Sequence, residues 1–350
     1  MFGFHQPPPS YTFTKLDFIP YDLNDEGRIV GSTGNGKSEC PVVFHDNRME
    51  RLKSSQGFGR ACLINKRNHI VISTRAEGIP SEPNSSLDFW NRGKVTHLGA
   101  FDAEPTRLLD EDEFLSSVHQ HQFRFGMKNG RLLRSNLPNI YRKPNPDLKG
   151  EFEDLNDRGT LVGACWGGEG PRTAFVMDRL GRRTDLTKFA DREISYSAQL
   201  INDSGTIVVT VGFGQAWGGG EAVEVWKGGQ MKELPSMFHS WRGFQVHGLN
   251  EKDQIIGSGS LQRYDGSTAQ RIENDHAGDP YFALAMDHAV LWEGGNLYDL
   301  NDLVKLPEGV ELENATRINN KGWIVGTYIL LNHRFGFLLK PQSTASLGQS

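Results

Sequence analysis

Cysteine is scarce in this chain. Cys40, Cys62 and Cys165 are the three cysteines in 350 residues. They are too few and too scattered for a disulfide framework or a zinc motif, and read as small buried or half-buried thiols. Long apolar runs are missing as well: no stretch approaches the ~20 residues of a membrane span. There is no basic excess. Lys and Arg number 38 against 43 Asp and Glu, a formal net charge of -5, which argues against a general nucleic-acid binder, although a local basic patch stays compatible. The opening residues MFGFHQPPPS lack the basic and apolar segments of a secretory signal. The expectation is a cytoplasmic chain, or a secreted one whose signal has been removed. No nucleotide loop, Gly-x-Ser-x-Gly elbow, zincin helix or Cys/His nucleophile signature occurs. That leans against an enzyme without excluding one, because a site can be assembled from loops distant in sequence.

Glycine, by contrast, is abundant at 40 residues, as many tight turns between short strands require. These turns recur. An Asn-Asp-x-Gly-like turn followed by a β-branched pair appears as LNDEGRIVGS from Leu23, LNDRGTLVGA from Leu155, INDSGTIVVT from Ile201 and INNKGWIVGT from Ile318. Weaker copies start at Ile64, Leu109 and Leu249. Their second residues fall at 24, 65, 110, 156, 202, 250 and 319, in steps of 41, 45, 46, 46, 48 and 69. A period in the forties built of short strands signals a β-propeller. The fold class is therefore all-β: one propeller over residues 11–340 with seven four-stranded blades, after a proline-rich lead (1–10) and before a polar tail (341–350). A different reading of blade 3 would give six or eight blades. At the turn glycine, Asn68 and Asp253 are tolerable substitutes because both enter the left-handed region. Glu113 is not, so a distorted turn is expected in blade 3.

The last repeat ends after FGFLLK without a fourth strand, while Phe13-Thr14-Lys15-Leu16 matches the blade-2 fourth strand Val95-Thr96-His97-Leu98. Residues 12–17 are therefore expected to close blade 7 and protect its edge.

The repeated order of an aliphatic-Asn-Asp-x-Gly turn, an Ala-Phe-aliphatic third strand and a Gly-x-Leu-x-Asp-Leu fourth strand resembles the bacterial HAF repeats. The third-strand element stands here as TAFVM at Thr173 and HAVLW at His288. The full His-Ala-Phe tripeptide is absent. The resemblance spans roughly residues 11–340. It implies an extracellular repeat protein of propeller-like fold and carries over no catalytic residue.

In four-stranded blades the Asn-Asp-x-Gly turns share one face with the third-to-fourth turns. The other loops, long and rich in aromatic and charged residues, share the opposite face, where binding residues concentrate over a rigid scaffold. CWGGEGPR in blade 4 carries Trp166, Glu169 and Arg172. AWGGGEA in blade 5 carries Trp217 and Glu221. FHSWRGFQVHG adds His239, Trp241 and His247. A Trp face beside a carboxylate can hold a sugar or a cation. The same tryptophans could instead pack between blades. The expected function is a non-enzymatic binding module for a glycan or a protein, with Trp166, Trp217 and Trp241 as platforms and Glu169, Arg172, Glu221 and His239 as polar contacts. The alternative is a carbohydrate hydrolase or lyase using Glu169 and Glu221 as its acid and base or nucleophile, since such carboxylates sit roughly 5–9.5 Å apart. His119 and His121 lie at strand spacing on one face, but no third metal ligand is fixed by spacing, and no metal is assigned there. The blade-6 insertion, Leu261–Asp287, carries Asp265, Glu273, Asp275 and Asp279. It reads as a polar loop, a lid or a Ca²⁺-ordered arm, although it does not match an EF-hand register. No nucleic-acid or membrane partner is expected.

Overall fold

The computed structural model describes residues 8–34, 38–75, 85–103, 105–118, 121–138, 148–167, 170–187, 194–213, 222–235, 241–261 and 286–342. They form a seven-bladed β-propeller of antiparallel sheets. Blade 1 runs Ile19–Leu23, Ile29–Thr33, Cys40–His45 and Arg48–Arg51, from the channel outwards. Blades 2, 4, 5 and 6 repeat that up-and-down order, with first strands Arg60–Ile64, Leu148–Leu155, Ile194–Ile201 and Trp241–Leu249.

Blade 7 consists of Glu311–Ile318, Ile324–Leu330, His333–Pro341 and, as its outer strand, Tyr11–Leu16. The expected closure is thus present: Phe13 lies opposite Leu339 and Leu16 opposite Gly336. The Gln342 N–H donates to the Ser10 carbonyl at 2.8 Å, continuing the pairing beyond the strands.

The core lies between blades, so the middle strands are buried on both faces. Ile29, Val30 and Gly31 are all buried, whereas all four residues of the outer strand Arg48–Arg51 are exposed. Val30 and Val43 of blade 1 meet Ala61, Ile64, Ile70 and Ile72 of blade 2. Leu291 of blade 6 joins Leu312, Tyr328 and Phe337 of blade 7 in the largest such cluster. Each large side chain buried in this way contributes about 1.5–3 kcal/mol. Among the described residues no helix is long and apolar enough to cross a membrane.

The Asn-Asp-x-Gly repeat performs two tasks. In blade 1 the Asn24 Oδ1 accepts the N–H groups of Glu26 and Arg28, both at 3.1 Å, which shapes its own turn. Gly27 then takes φ +90°. The Asn24 Nδ2 donates across to the Asn65 carbonyl of blade 2 at 3.0 Å. The same donation runs from Asn65 to Leu109, Asn156 to Asn202, Asn202 to Asn250, Asn250 to Asn319 and Asn319 back to Asn24. Aspartate could shape the turn, but only the amide also supplies the donor.

Blade 3 differs from expectation in two respects. Its turn is regular but sits one residue earlier: Asp112, not Glu113, takes φ +63°. The Leu109 N–H donates to the Glu113 carbonyl and the Asp112 N–H to the Leu109 carbonyl, matching the pattern at Asn24. Leu109 therefore stands where the other blades have asparagine, and it breaks the amide ring at one place. Among the described residues this blade also has three strands, Glu113–Val118, His121–Lys128 and Arg131–Asn136. The channel-side position is held by irregular chain containing Pro105, which has no N–H for a ladder.

Candidate functional site

On the loop-rich face, Trp166 is the penultimate residue of the second strand of blade 4, Leu161–Gly167. The Arg172 guanidinium stacks over it at 4.4 Å from the ring centroid. Arg172 also lies 3.8 Å from the Glu151 carboxylate. Its backbone is tied to the first strand of blade 5: the Arg172 N–H donates to Ser195 Oγ at 3.2 Å, and the Tyr196 N–H donates to the Arg172 carbonyl at 2.9 Å. Trp166 and Arg172 are therefore brought together at a junction between two blades. Glu169, Trp217, Glu221 and His239 lie outside the described residues, as do His119 and the insertion between 262 and 285. The backbone of Trp241 opens the first strand of blade 6 opposite Leu261. His121 is exposed at the start of its strand. Cys62 and Cys165 are buried and Cys40 is half-buried.

The channel holds a feature that no sequence motif marks. A cavity of about 520 Å³ is lined by the seven turns and by the first-strand residues leading into them. Two arginines brace its interior. Arg107 Nη1 donates to the Ile201 carbonyl of blade 5 at 2.7 Å and meets Asp154 of blade 4 at 3.3 Å. Arg317 Nη1 donates to the His247 carbonyl at 2.9 Å and Nη2 to the Thr106 carbonyl at 3.0 Å. Its Nε lies 3.5 Å from Asp22.

Asp22 and Asp154 occupy equivalent positions, two residues before the turn asparagine, and each links two blades. Asp22 accepts the N–H groups of Leu23 and Ile64, and Asp154 those of Leu155 and Ile201. Burial pushes both carboxyls up, against the pull of the arginines and of these N–H donors. His247 is pushed down to about 4, by burial first and by the Arg317 charge second, so it is neutral at pH 7. Burial also raises Glu153, with the Glu151 charge adding to it.

At the mouth stands the residue that follows the turn asparagine: Asp25, Lys66, Asp110, Asp157, Asp203, Glu251 and Asn320. These form a second ring. Each backbone N–H from Lys66 to Asn320 donates to the side chain of the next blade, at 2.8–3.3 Å. The pattern fails from Asp25 to Lys66, because an ammonium group accepts nothing. Lys66 Nζ sits 2.8 Å from Asp110 and 4.0 Å from Asp157. Burial, followed by the charges of Asp110 and Asp203, pushes Asp157 up to about 6.

The repeated turn announced these residues, but its aspartates have an immediate structural role in turn chemistry. Arg107 and Arg317 gave no signal beyond standing two residues before the turn position. Only the closed ring brings such residues to a common axis.

No protein-family model and no curated protein matches the chain. Solved structures are similar to it in fold. The β-propeller domain of the Trilobed protease from Pyrococcus furiosus superposes with a TM-score of 0.54 at 9% identity, covering 96% of this chain and 99% of that one. The Cps50 (Swd1) propeller of Myceliophteria thermophila gives 0.52 at 11% identity, over 95% and 99% of the two chains. YCF48 from Cyanidioschyzon merolae gives 0.50 at 10% identity, again over 95% and 99%. Identities this low speak to architecture alone.

Proposed function

We propose that this chain is a non-enzymatic binding module and that its loop-rich face takes a glycan or protein ligand. The observation that carries this reading is the rim formed by Trp166, Arg172 and Glu151. An aromatic face, a guanidinium and a carboxylate stand together there. Two backbone hydrogen bonds to blade 5 hold the segment that carries Arg172. A ligand meeting a rim already tethered in this way loses less ordering entropy than one that must organise a free loop. Tyrosine, tryptophan and arginine are also the side chains that most often dominate binding energy at interfaces. From the sequence, the proposed contact set also includes Trp217, Trp241, Glu169, Glu221 and His239.

The test is a glycan array together with a pull-down, using wild type, Trp166→Ala and Arg172→Ala. A ligand retained by wild type and lost at least about tenfold in each variant, the ~1.4 kcal/mol expected of a principal contact, supports the rim. Full retention by both variants, or no ligand in either format, would overturn it.

A further inference from the structure

Blade 3 turns two unlike faces to its neighbours. Residues 121–138, which hold its two outer strands, carry Arg124, Lys128, Arg131 and Arg134 and no carboxylate, in a chain of net charge -5. Side chains alternate across such strands. Phe123, Phe125, Met127 and Leu132 pack with blade 2. The opposite set therefore faces blade 4. It holds Arg124 and the cross-strand pairs Gly126 with Leu133 and Lys128 with Arg131. To the apolar cluster shared with blade 4, blade 3 gives Leu109, Leu115 and Leu137, none of which lies within those two outer strands.

The outer halves of blades 3 and 4 are thus divided by a groove. Leu133 is 52% exposed on one wall, where Gly126 opposite has no side chain to cover it. Leu180, in the hairpin of blade 4, is 77% exposed on the other. They are two of the four large apolar side chains exposed among the described residues. The hairpin lies close to blade 3: a Cβ on Gly181 would stand 3.5 Å from Pro138 Cβ. Two arginines meet over Gly159, where a Cβ would stand 3.8 Å from Arg124 Nη1 and 3.5 Å from Arg179 Cγ. Arg124 directs Nε and Nη2 to Glu113, so Nη1 has no partner among the described residues. The carboxylates of the hairpin are engaged, Asp178 by Arg182 and Asp185 by Arg183. Among the described residues no ion pair reaches Lys128, Arg131, Arg158 or Arg179.

Unpaired like charges held together repel, and exposed leucines gain from cover. One occupant relieves both. A guanidinium fork matches a carboxylate in shape and charge, and an aliphatic side chain covers a leucine. The apolar residues among these cations are aliphatic, so they offer no aromatic platform on which a nucleic-acid base would stack.

We propose that the outer groove between blades 3 and 4 docks an acidic, leucine-bearing segment of a partner protein. Arg124, Arg131 and Arg179 receive its carboxylates, and Leu133 and Leu180 its apolar side chains. The groove is separate from the loop-rich rim and does not depend on it.

Fluorescence anisotropy tests this with a fluorescein-labelled Gly-Asp-Leu-Glu-Asp-Leu-Glu-Gly peptide. Its amide counterpart, with Asn and Gln for Asp and Glu, is the control, and an oligothymidylate of matched charge is the competing class of ligand. The acidic peptide should bind, the amide counterpart should bind about tenfold more weakly or worse, and affinity should fall as salt rises. The Arg131→Glu/Arg179→Glu variant should lose on the order of tenfold in affinity with an unchanged urea midpoint. Lys252→Glu, a charge reversal on blade 6, should bind as wild type does. If the double variant does not fold, wild type is photo-crosslinked to the same peptide carrying a benzophenone, and the adducts should map to 124–138 and 158–181. Absence of peptide binding at about 1 mM, equal binding of the amide counterpart, or equal binding by the folded double variant overturns the proposal. So does an equal loss in Lys252→Glu, adducts confined to other blades, or tighter binding of the oligothymidylate.

Discussion

Replacing Asn202 by alanine removes one complete unit of the amide ring. The side chain is fully buried and makes four hydrogen bonds. Its Oδ1 accepts the Thr206 N–H at 2.9 Å and Ser204 Oγ at 2.8 Å. Its Nδ2 donates to the Asn250 carbonyl at 3.0 Å and to Asp253 Oδ1 at 3.1 Å. Two of these partners recover readily. Ser204 is exposed, and Asp253 keeps Lys227 at 2.5 Å. The Thr206 N–H and the Asn250 carbonyl do not, because they face the interior. Each stranded backbone group costs about 1–3 kcal/mol, so Asn202→Ala should destabilise the protein by about 3 kcal/mol, at the high end for a single substitution. Asn320→Ala is the comparison. That residue is half-buried and belongs to the solvent-facing ring, and its loss should cost below about 1 kcal/mol. Equilibrium urea unfolding of both variants reads the difference. A cost for Asn202→Ala no larger than that for Asn320→Ala would refute the view that the inner ring holds the blades together. Leu109 shows that one gap is survivable. It is 4% exposed and packs with Leu115, Phe152 and Leu155, so apolar burial takes the place of the missing amide.

Two further predictions concern the blades. His288 is buried between Asp299 at 2.6 Å and Glu311 at 2.7 Å. Burial opposes its charge, but the hydrogen bond and charge of Asp299, with Glu311, outweigh that and raise its pKa. The stability it adds is therefore full below the unfolded histidine value of about 6.5 and is lost as pH rises through the raised folded value. A urea midpoint that falls from pH 6 to 9 in wild type should fall less in His288→Gln, and identical slopes would remove the argument. Gly163→Ala would place a Cβ 2.0 Å from the Glu151 carbonyl oxygen and 3.0 Å from Phe152 Cα. Both are backbone atoms that cannot step aside, so the cost should exceed about 2 kcal/mol. Gly205→Ala meets nothing within 4 Å and strains only its φ of +87°, so it should cost about 1 kcal/mol. The reverse order in thermal melts would contradict this account.

The blade architecture was legible because its determinants are local. In six of the seven blades a turn asparagine, a residue tolerant of positive φ and an aliphatic pair all fall within about ten residues. Asn68 and Asp253 do adopt that φ, at +63° and +61°. Closure by the N-terminal strand was legible for a related reason: the missing outer strand at one end matched an unassigned strand at the other. Blade 3 was misplaced by one residue because aligning Asp110 with the asparagines favours chemical similarity over hydrogen-bond geometry. Leucine in an asparagine position is recognisable only once its neighbours supply the burial that replaces the amide. The same limit hid the missing channel-side strand, for which Pro105 was the one local sign.

The site was harder to read than the fold because its residues share no segment. Arg107 and Arg317 are 210 positions apart, yet Arg317 donates to the carbonyl of Thr106, the neighbour of Arg107. Nothing in either local sequence separates them from a surface arginine. Only ring closure makes the position two residues before each turn a shared layer, in which Asp22, Arg107, Asp154 and Arg317 balance one another. The residues after the asparagines pose the opposite problem. They were visible from the start, but an aspartate in a turn already has a sufficient explanation, so its charge drew no notice. The ring separates the two properties. Hydrogen bonding asks for an acceptor, which Asn320 supplies without charge, whereas Asp25, Asp110 and Glu251 also use their second oxygen, for Asn320 Nδ2, Lys66 Nζ and the Ser204 N–H. The wet, half-exposed setting of that ring lets charge persist there without unfolding the blades, whereas the buried layer beneath it must pair each charge.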